Sequence, residues 1–160
     1  NINTLNGRTK ADFEKKGRIL FDNVVSIIPD ITLEECVESV RYRVICETWN
    51  GIIIRERNTI KTLEREFPDH IFEKKDGDFD YHYAVDYEMK RASELVCGIQ
   101  VKPKSYTFNT PYLNRARSAN QTKNSEYTQR FGKPVFDIIS KGSGEIQNPE
   151  VIKKIKTLTE

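Results

Sequence analysis

The chain has 160 residues, of which 37% are hydrophobic and 31% charged, and its formal net charge is +2. This length fits a single domain over residues 1–160 with a hydrophobic core, and the aromatic content argues against an intrinsically disordered chain. Because no apolar run is long enough to cross a bilayer and no signal-peptide pattern is present, we expect no association with a membrane.

Two helices are predicted at the start of the chain. Apolar residues recur at helical spacing over residues 12–28, and Pro29 ends the pattern. Thr32 and Glu35 then have the spacing of a capping box, which starts a second predicted helix over residues 33–49. Together these helices have more apolar surface than one small sheet face needs.

The segment that follows is predicted to complete a mainly helical N-terminal part, residues 1–67. Asn50-Gly51 is expected to break the second helix. A short extended piece over residues 52–54 and a further helix over residues 58–67 are expected next.

Three strands are predicted in the middle of the chain. Residues 71–75 form a short strand candidate, and a turn is expected at 76–78. Residues 81–89 and 95–102 are rich in β-branched and aromatic side chains, which favours strands, and a tight turn at 92–94 joins them.

The last third of the chain continues this alternation. Residues 106–127 are polar and predicted to be helical in part, and residues 134–139 form a strand candidate. Asn148, Pro149 and Glu150 have the pattern of a helix start. The element order predicts an α/β fold in which a sheet is flanked by helices.

Charge is distributed unevenly along the chain. Residues 69–94 contain eight acidic and four basic side chains, whereas residues 102–133 contain seven basic side chains and one acidic. An acidic block followed by a basic block suits a metal site beside a surface that binds a polyanion.

One acid and one lysine on the two central predicted strands point to phosphodiester hydrolysis. Side chains alternate along a strand, so Asp86 and Glu88 share one face, as do Gln100 and Lys102 on the neighbouring strand. Hydrolysis needs an activated water and a hard cation with oxygen ligands. Asp86 could bind the metal directly, the backbone carbonyl of Val101 could be a further ligand, and Lys102 could orient water or contact the phosphate.

Two segments resemble a known family of nucleases. Ala84-Val-Asp86-Tyr and Cys97-Gly-Ile-Gln-Val-Lys-Pro103-Lys-Ser-Tyr106 resemble the PD-(D/E)xK nuclease core and, more narrowly, the MjaI-like type II restriction endonucleases. The resemblance covers roughly residues 70–140, which would be the catalytic core. It implies a mixed sheet flanked by helices, a double-strand cut that depends on Mg²⁺, and a homodimer on a palindromic DNA site.

The resemblance assigns catalytic positions to Asp86, Gln100 and Lys102. Gln100 departs from the superfamily pattern, because it places a neutral amide where a second acid is usual. Metal binding would then depend on Asp86, the Val101 carbonyl and another acid. Glu88 is the first candidate for that acid, and Asp80 and Glu47, the latter on the second predicted helix, are weaker ones.

The basic block is the predicted DNA-binding surface. Arg, Asn and Gln read base edges in the major groove, and Lys and Arg contact phosphates. The candidates are Lys104, Tyr106, Asn109, Asn114, Arg115, Arg117, Asn120, Gln121 and Lys123.

The three cysteines, Cys36, Cys46 and Cys97, are not arranged as a zinc site or a disulfide framework. We expect small buried side chains in a reducing cytoplasm.

These observations predict a Mg²⁺-dependent, site-specific endonuclease of double-stranded DNA, with two alternatives. One is a repair or junction-resolving nuclease on the same core. The other is a DNA-binding module that keeps the fold without cutting, which the neutral Gln100 would favour. The presence of both Asp86 and Lys102 argues against it.

Overall fold

A computed structural model describes residues 9–44 and 50–159. The described chain divides into two compact units, of which the first ends at Ile53 and the second begins at Ile54. The six α-helices of these residues are α1 (Lys10–Val24), α2 (Leu33–Tyr42), α3 (Asn50–Glu66), α4 (Gly77–Tyr83), α5 (Pro111–Phe131) and α6 (Glu150–Thr159). No helix of the described residues is both long and apolar enough to cross a membrane.

The first unit contains α1 and α2. Each helix starts with a capping box, in which Thr9 pairs with Asp12 and Thr32 with Glu35, as predicted for the second. The two helices pack closely at Gly17, which has no side chain. A Cβ atom at this position would overlap Val37. Residues 45–49, which complete the second predicted helix, lie outside the described residues.

A mixed four-stranded sheet forms the centre of the second unit, as predicted. Its strands are β1 (Ile71–Lys74), β2 (Tyr87–Arg91), β3 (Glu94–Lys102) and β4 (Val135–Ile139). The strand order is β1-β2-β3-β4, in which β1, β2 and β3 pair antiparallel and β3 and β4 pair parallel. A parallel pair needs a long crossover connection, and here α5 lies in it.

The two faces of β3 pack against different groups of side chains. Cys97, Ile99 and Val101 join an apolar cluster that includes Leu63 of α3 and Ile155 of α6. The alternate residues of β3 point to the opposite face because side chains alternate along a strand. On that face an aromatic cluster joins α4 and α5 through Phe79, Tyr83, Tyr127 and Phe131.

The strand predicted over residues 81–89 is wrong in its first half. Residues 77–83 form α4, because the Asp76 side chain accepts a 2.8 Å hydrogen bond from the backbone N–H of Phe79 and caps the helix. Ala84 ends the helix in the left-handed conformation. The segment predicted as a turn at 76–78 is therefore a helix start, and the aromatic residues predicted for a strand pack against α5 instead.

The extended piece predicted at residues 52–54 is also wrong. Asn50 and Gly51 begin α3 rather than breaking a helix. The two free cysteines of the described residues, Cys36 and Cys97, are buried as expected, and Cys46 lies outside those residues. A cytoplasmic location stays a prediction.

The middle of α3 is anchored to the chain that follows β4. The hydroxyls of Thr59 and Ser140, both buried, lie 2.7 Å apart, and Asn58 Nδ2 donates a 2.8 Å hydrogen bond to the carbonyl of Gly142. Gly144 has φ +89 and lies against the backbone of Asn58, where a Cβ atom would overlap it. These contacts fix the position of the turn of α3 just before Asn58, which contains Glu56.

Candidate active site

Asp86 is held at the point where the β2–β3 pair ends. It directly precedes β2 rather than lying near the middle of a strand. Its backbone N–H donates to the carbonyl of Ile99 at 2.9 Å, and its Oδ2 accepts a 2.7 Å hydrogen bond from the backbone N–H of Val101. Because the residue is only 9% exposed, these bonds fix a carboxyl group in a largely buried place.

The Asp86 carboxyl shares its surroundings with other acids. Burial raises the pKa of Asp86 to about 7, against the opposing charge of Lys102 and together with repulsion from Asp80 and Glu56. Burial also raises the pKa of Asp80, and the charge of Lys102 opposes that shift. The raised pKa of Asp86 means that this carboxyl group ionises much less readily than an exposed aspartate.

Glu56 comes to this group from α3. It lies one turn before Thr59, so the anchored middle of the helix places it beside the sheet. Its Oε2 is 2.6 Å from Nζ of Lys74 on β1, and its side chain is 13% exposed. The structure therefore adds an acid that is distant in sequence from the acidic block.

Strands β3 and β4 contribute a glutamine, a lysine and a further acid. Gln100 is 1% exposed and pairs with Asp137 across the two strands. Gln100 Oε1 and Asp137 Oδ1 are both buried without a hydrogen-bond partner. Burial raises the pKa of Asp137, and the charge of Lys102 opposes that shift. Lys102 therefore lies among the carboxyl groups of Asp80, Asp86 and Asp137.

The donor set fits a hard divalent cation once oxygen ligands other than carboxylates are included. Within residues 9–44 and 50–159, no three His, Cys, Asp or Glu side chains converge closely enough to hold a metal ion. The buried oxygens Gln100 Oε1 and Asp137 Oδ1 have no hydrogen-bond partner, so either could accept a cation as its partner. Hard cations also take amide and carbonyl oxygens as ligands beside carboxylates.

Glu88 has other partners. It is 5% exposed, Tyr127 donates a 3.0 Å hydrogen bond to its Oε1, and Lys75 and Lys90 lie 3.1 and 3.6 Å from its Oε2. A metal role for Glu88 stays a prediction, as does a ligand role for the Val101 carbonyl. Glu47 lies outside the described residues.

The predicted DNA-binding residues differ in exposure. Five of them are exposed: Lys104, Asn109, Asn114, Arg115 and Gln121. Tyr106 is buried, and three are half-buried: Arg117, Asn120 and Lys123. All lie on α5 or on the segment between β3 and α5.

Sequence reasoning missed Glu56 and Asp137. Because residues 52–54 were expected to be extended, the sequence did not indicate that Glu56 lies on a helix. A signal for Asp137 was present, because an ionisable group inside the apolar run Val135-Phe-Asp-Ile-Ile139 is costly unless it has a role.

Comparison with models of known protein families matches residues 8–148 to the family described as MjaI restriction endonuclease. This match confirms the resemblance that the sequence segments around Asp86 and Lys102 indicate. Searches of curated proteins and of solved structures found no match.

We predict that the carboxyl of Asp86 makes the metal-free protein less stable as the pH rises. Its pKa in the folded chain is about 7, above the ordinary value of 3.8, so the folded state keeps a proton that the unfolded chain loses. Stability from this group is fully present below about pH 4 and is lost as the pH rises towards 7. Chemical denaturation in EDTA should show that the stability advantage of Asp86→Asn over wild type grows across this interval and is constant above it.

Asp78→Asn is the matched control, because Asp78 is an exposed acid on α4. The difference in stability between Asp78→Asn and wild type should not grow between pH 4 and 7. A constant difference between Asp86→Asn and wild type from pH 4 to 8 would show that Asp86 ionises equally easily in the folded and unfolded chain.

Proposed function

This chain belongs to the MjaI restriction endonuclease family, and we propose that it is a type II enzyme that hydrolyses double-stranded DNA at a specific site with Mg²⁺. Membership of the family implies a nuclease that acts on DNA. The observation that carries the finer proposal is the meeting of Asp86, Lys102 and the unpartnered Gln100 amide oxygen at one end of β3.

The residues that would hold the cation are Asp86, Gln100 and one further acid. Asp80 and Glu56 are better candidates than Glu88 for that last position, because their charges act on Asp86. Within the described residues, Glu56 has one lysine partner, Lys74, whereas Glu88 is engaged by two lysines and a tyrosine. Bound there, Mg²⁺ would supply positive charge for the scissile phosphate and make a nearby water a stronger nucleophile.

The side chains around that position have separate tasks. The Val101 N–H fixes the orientation of the Asp86 carboxylate, so one of its oxygens is already engaged and the other is directed by that bond. Lys102 brings an ammonium group to the same group of acids, where it can donate hydrogen bonds to a phosphate oxygen or to the attacking water. Burial keeps bulk water from screening these charges.

Two other functions would use the same fold. A junction-resolving nuclease would cut branched DNA without regard to sequence, and a DNA-binding module would not cut. Plasmid DNA incubated with and without Mg²⁺ separates them: discrete bands indicate a restriction enzyme, a smear indicates non-specific cutting, and unchanged plasmid indicates a binding module. The acids around Lys102 favour cutting, because a binding module has no need to gather negative charge beside DNA.

Asp86→Ala and Lys102→Ala are each expected to abolish cleavage of a cognate plasmid. The first removes the buried carboxylate that would hold the cation, and the second removes the ammonium group beside the phosphate. Binding of the cognate duplex in Ca²⁺, measured by gel shift, should survive in Lys102→Ala. Near wild-type cleavage by either variant would contradict the assignment.

The further acid can be identified in the same assay. Glu56→Gln should slow cleavage strongly, whereas Glu64→Gln, an exposed acid two turns along α3, should have no effect. If Glu88→Gln stops cleavage and Glu56→Gln does not, the second acid is Glu88.

We predict that binding of DNA depends steeply on salt because phosphates contact the basic side chains of α5 and the segment before it. Each contact contributes about −0.9 to the slope of log affinity against log salt concentration. Replacing the exposed Lys104 and Arg115 together with Gln should make the slope shallower by roughly two contacts. Fluorescence anisotropy titrations in Ca²⁺ at several salt concentrations measure this slope.

Lys153 and Lys154 provide a control of equal charge, since both are exposed on α6 outside the basic block. Their replacement should leave the slope unchanged. A flat salt response, or an equal slope after the Lys104 and Arg115 replacement, would place the DNA elsewhere.

We propose that two copies of the chain cut the two strands of a palindromic site. One chain offers one Asp86–Lys102 site, and a two-fold axis shared with the DNA gives one site to each strand. The first unit supports an interface role, because large apolar side chains of its described helices and the turn between them are exposed: Ile19, Ile27, Ile28 and Tyr42.

Sedimentation of the protein with its cognate duplex should give two chains per duplex. Ile27→Glu combined with Tyr42→Glu should weaken this assembly, because charges would enter an apolar interface. Ile71→Glu, a change at an exposed isoleucine on β1, serves as the control. A complex of one chain per duplex that still makes double-strand breaks would refute the dimer.

A further inference from the structure

The aromatic ring of Tyr106 lies under the ammonium group of Lys102. Nζ of Lys102 is 5.6 Å from the ring centroid, within the range in which a cation is attracted to the face of an aromatic ring. Lys102 forms no salt bridge in the described part of the chain, although its charge lowers the pKa values of three nearby carboxyl groups, those of Asp80, Asp86 and Asp137. The ring is thus a neutral contact that can keep the ammonium group from collapsing onto one acid.

The position of the ring is set by α5. Asn120 Nδ2 donates a 2.9 Å hydrogen bond to the Tyr106 hydroxyl. Arg117 donates to the backbone carbonyls of Tyr106 and Phe108, and its guanidinium carbon lies 5.9 Å from the ring centroid. We call Tyr106, Arg117 and Asn120 the Tyr106 brace.

These contacts are unlike those of residues that read DNA. Tyr106 is 8% exposed, and its hydroxyl already has a partner. Arg117 also donates to the side-chain oxygen of Asn114, so its fork is directed at three acceptors of its own chain. A guanidinium group with three internal acceptors is committed to holding the segment that follows β3.

We propose that Tyr106 is a positioning residue for Lys102, and that the brace lets α5 fix the direction of the reactive ammonium group. The proposal rests on the proposed nuclease function and gives Tyr106, Arg117 and Asn120 a role other than direct contact with DNA. A lysine has four rotatable side-chain bonds, so an ammonium group without a fixed contact spends little time in one reactive geometry. The ring restricts it without neutralising its charge.

The first test compares Tyr106→Leu with Tyr106→Phe under single-turnover conditions on a prebound cognate duplex. Tyr106→Leu removes the ring face and should slow cleavage about tenfold, the size of a partly buried cation–π contact. Tyr106→Phe keeps the ring but loses the bond from Asn120, so it should slow cleavage clearly less than Tyr106→Leu does. Duplex affinity in Ca²⁺ should be nearly equal in all three proteins, because no phosphate or base contact is lost.

Two outcomes would overturn the proposal. Equal slowing by Tyr106→Phe and Tyr106→Leu would assign the effect to the hydroxyl and Asn120 rather than to the ring. A loss of duplex affinity that accounts for the loss of rate in Tyr106→Leu would make Tyr106 a DNA contact.

A second measurement does not require cleavage or a folded Tyr106→Leu variant. In the wild-type protein, the ε-methylene protons of Lys102 should be shifted upfield by the tyrosine ring, with the signal identified by its loss in Lys102→Arg. Lys104 is exposed and should show ordinary lysine shifts. An unshifted Lys102 signal would refute the contact. If wild type cuts no DNA, the proposed function fails, and the proton shifts still decide whether the ring holds Lys102.

Discussion

The structure depends on one electrostatic constraint, a carboxyl group buried where strand pairing ends. The backbone and the side chain of Asp86 are both hydrogen-bonded to β3. These bonds keep its carboxyl group from rotating towards solvent when it ionises. The cost of burying its charge appears as a raised pKa, and Asp80 and Glu56 increase that cost. Such a group destabilises the folded chain when it ionises unless a positive charge lies nearby, and the charge of Lys102 opposes the shift here.

The sheet separates this polar site from the apolar core. Residues 97, 99 and 101 of β3 bury an apolar face against α3 and α6, while Gln100 and Lys102 point to the other side. That other side is covered by an aromatic cluster towards one end of β3 and by acids towards the other. The apolar core thus holds rigidly the strands whose ends carry the candidate site, which is what a site of defined geometry requires.

Helix α5 contributes both to the fold and to the site. Tyr127 donates a hydrogen bond to the buried Glu88, and Arg130 donates one to the hydroxyl of Tyr83. Near its other end, Arg117 and Asn120 hold the segment after Lys102. The helix that carries the basic side chains is therefore tied to β2, to α4 and to the segment that follows β3. Its polar residues divide between internal bonds and the exposed surface.

Local patterns in the sequence determined much of this arrangement. The strand pair around the turn at residues 92–94, the helix cap at Thr32 and the start of the last helix at Glu150 follow from periodicity, turn residues and capping, which act over a few residues. The side chain of Asn148, predicted to cap that helix, instead bonds the backbone of β4 at Ile139 and Asp137. The family resemblance came from the same short segments, and the family match confirms it.

Only the tertiary structure decided which distant groups meet. Glu56 reaches the site because α3 is anchored after β4, and Asp137 reaches it because β4 pairs in parallel with β3. The internal use of Arg117 likewise depends on carbonyl groups that the chain brings beneath α5 only on folding. Local propensity could not specify these contacts, because they join segments whose approach is set by packing across the sheet rather than by their own sequence.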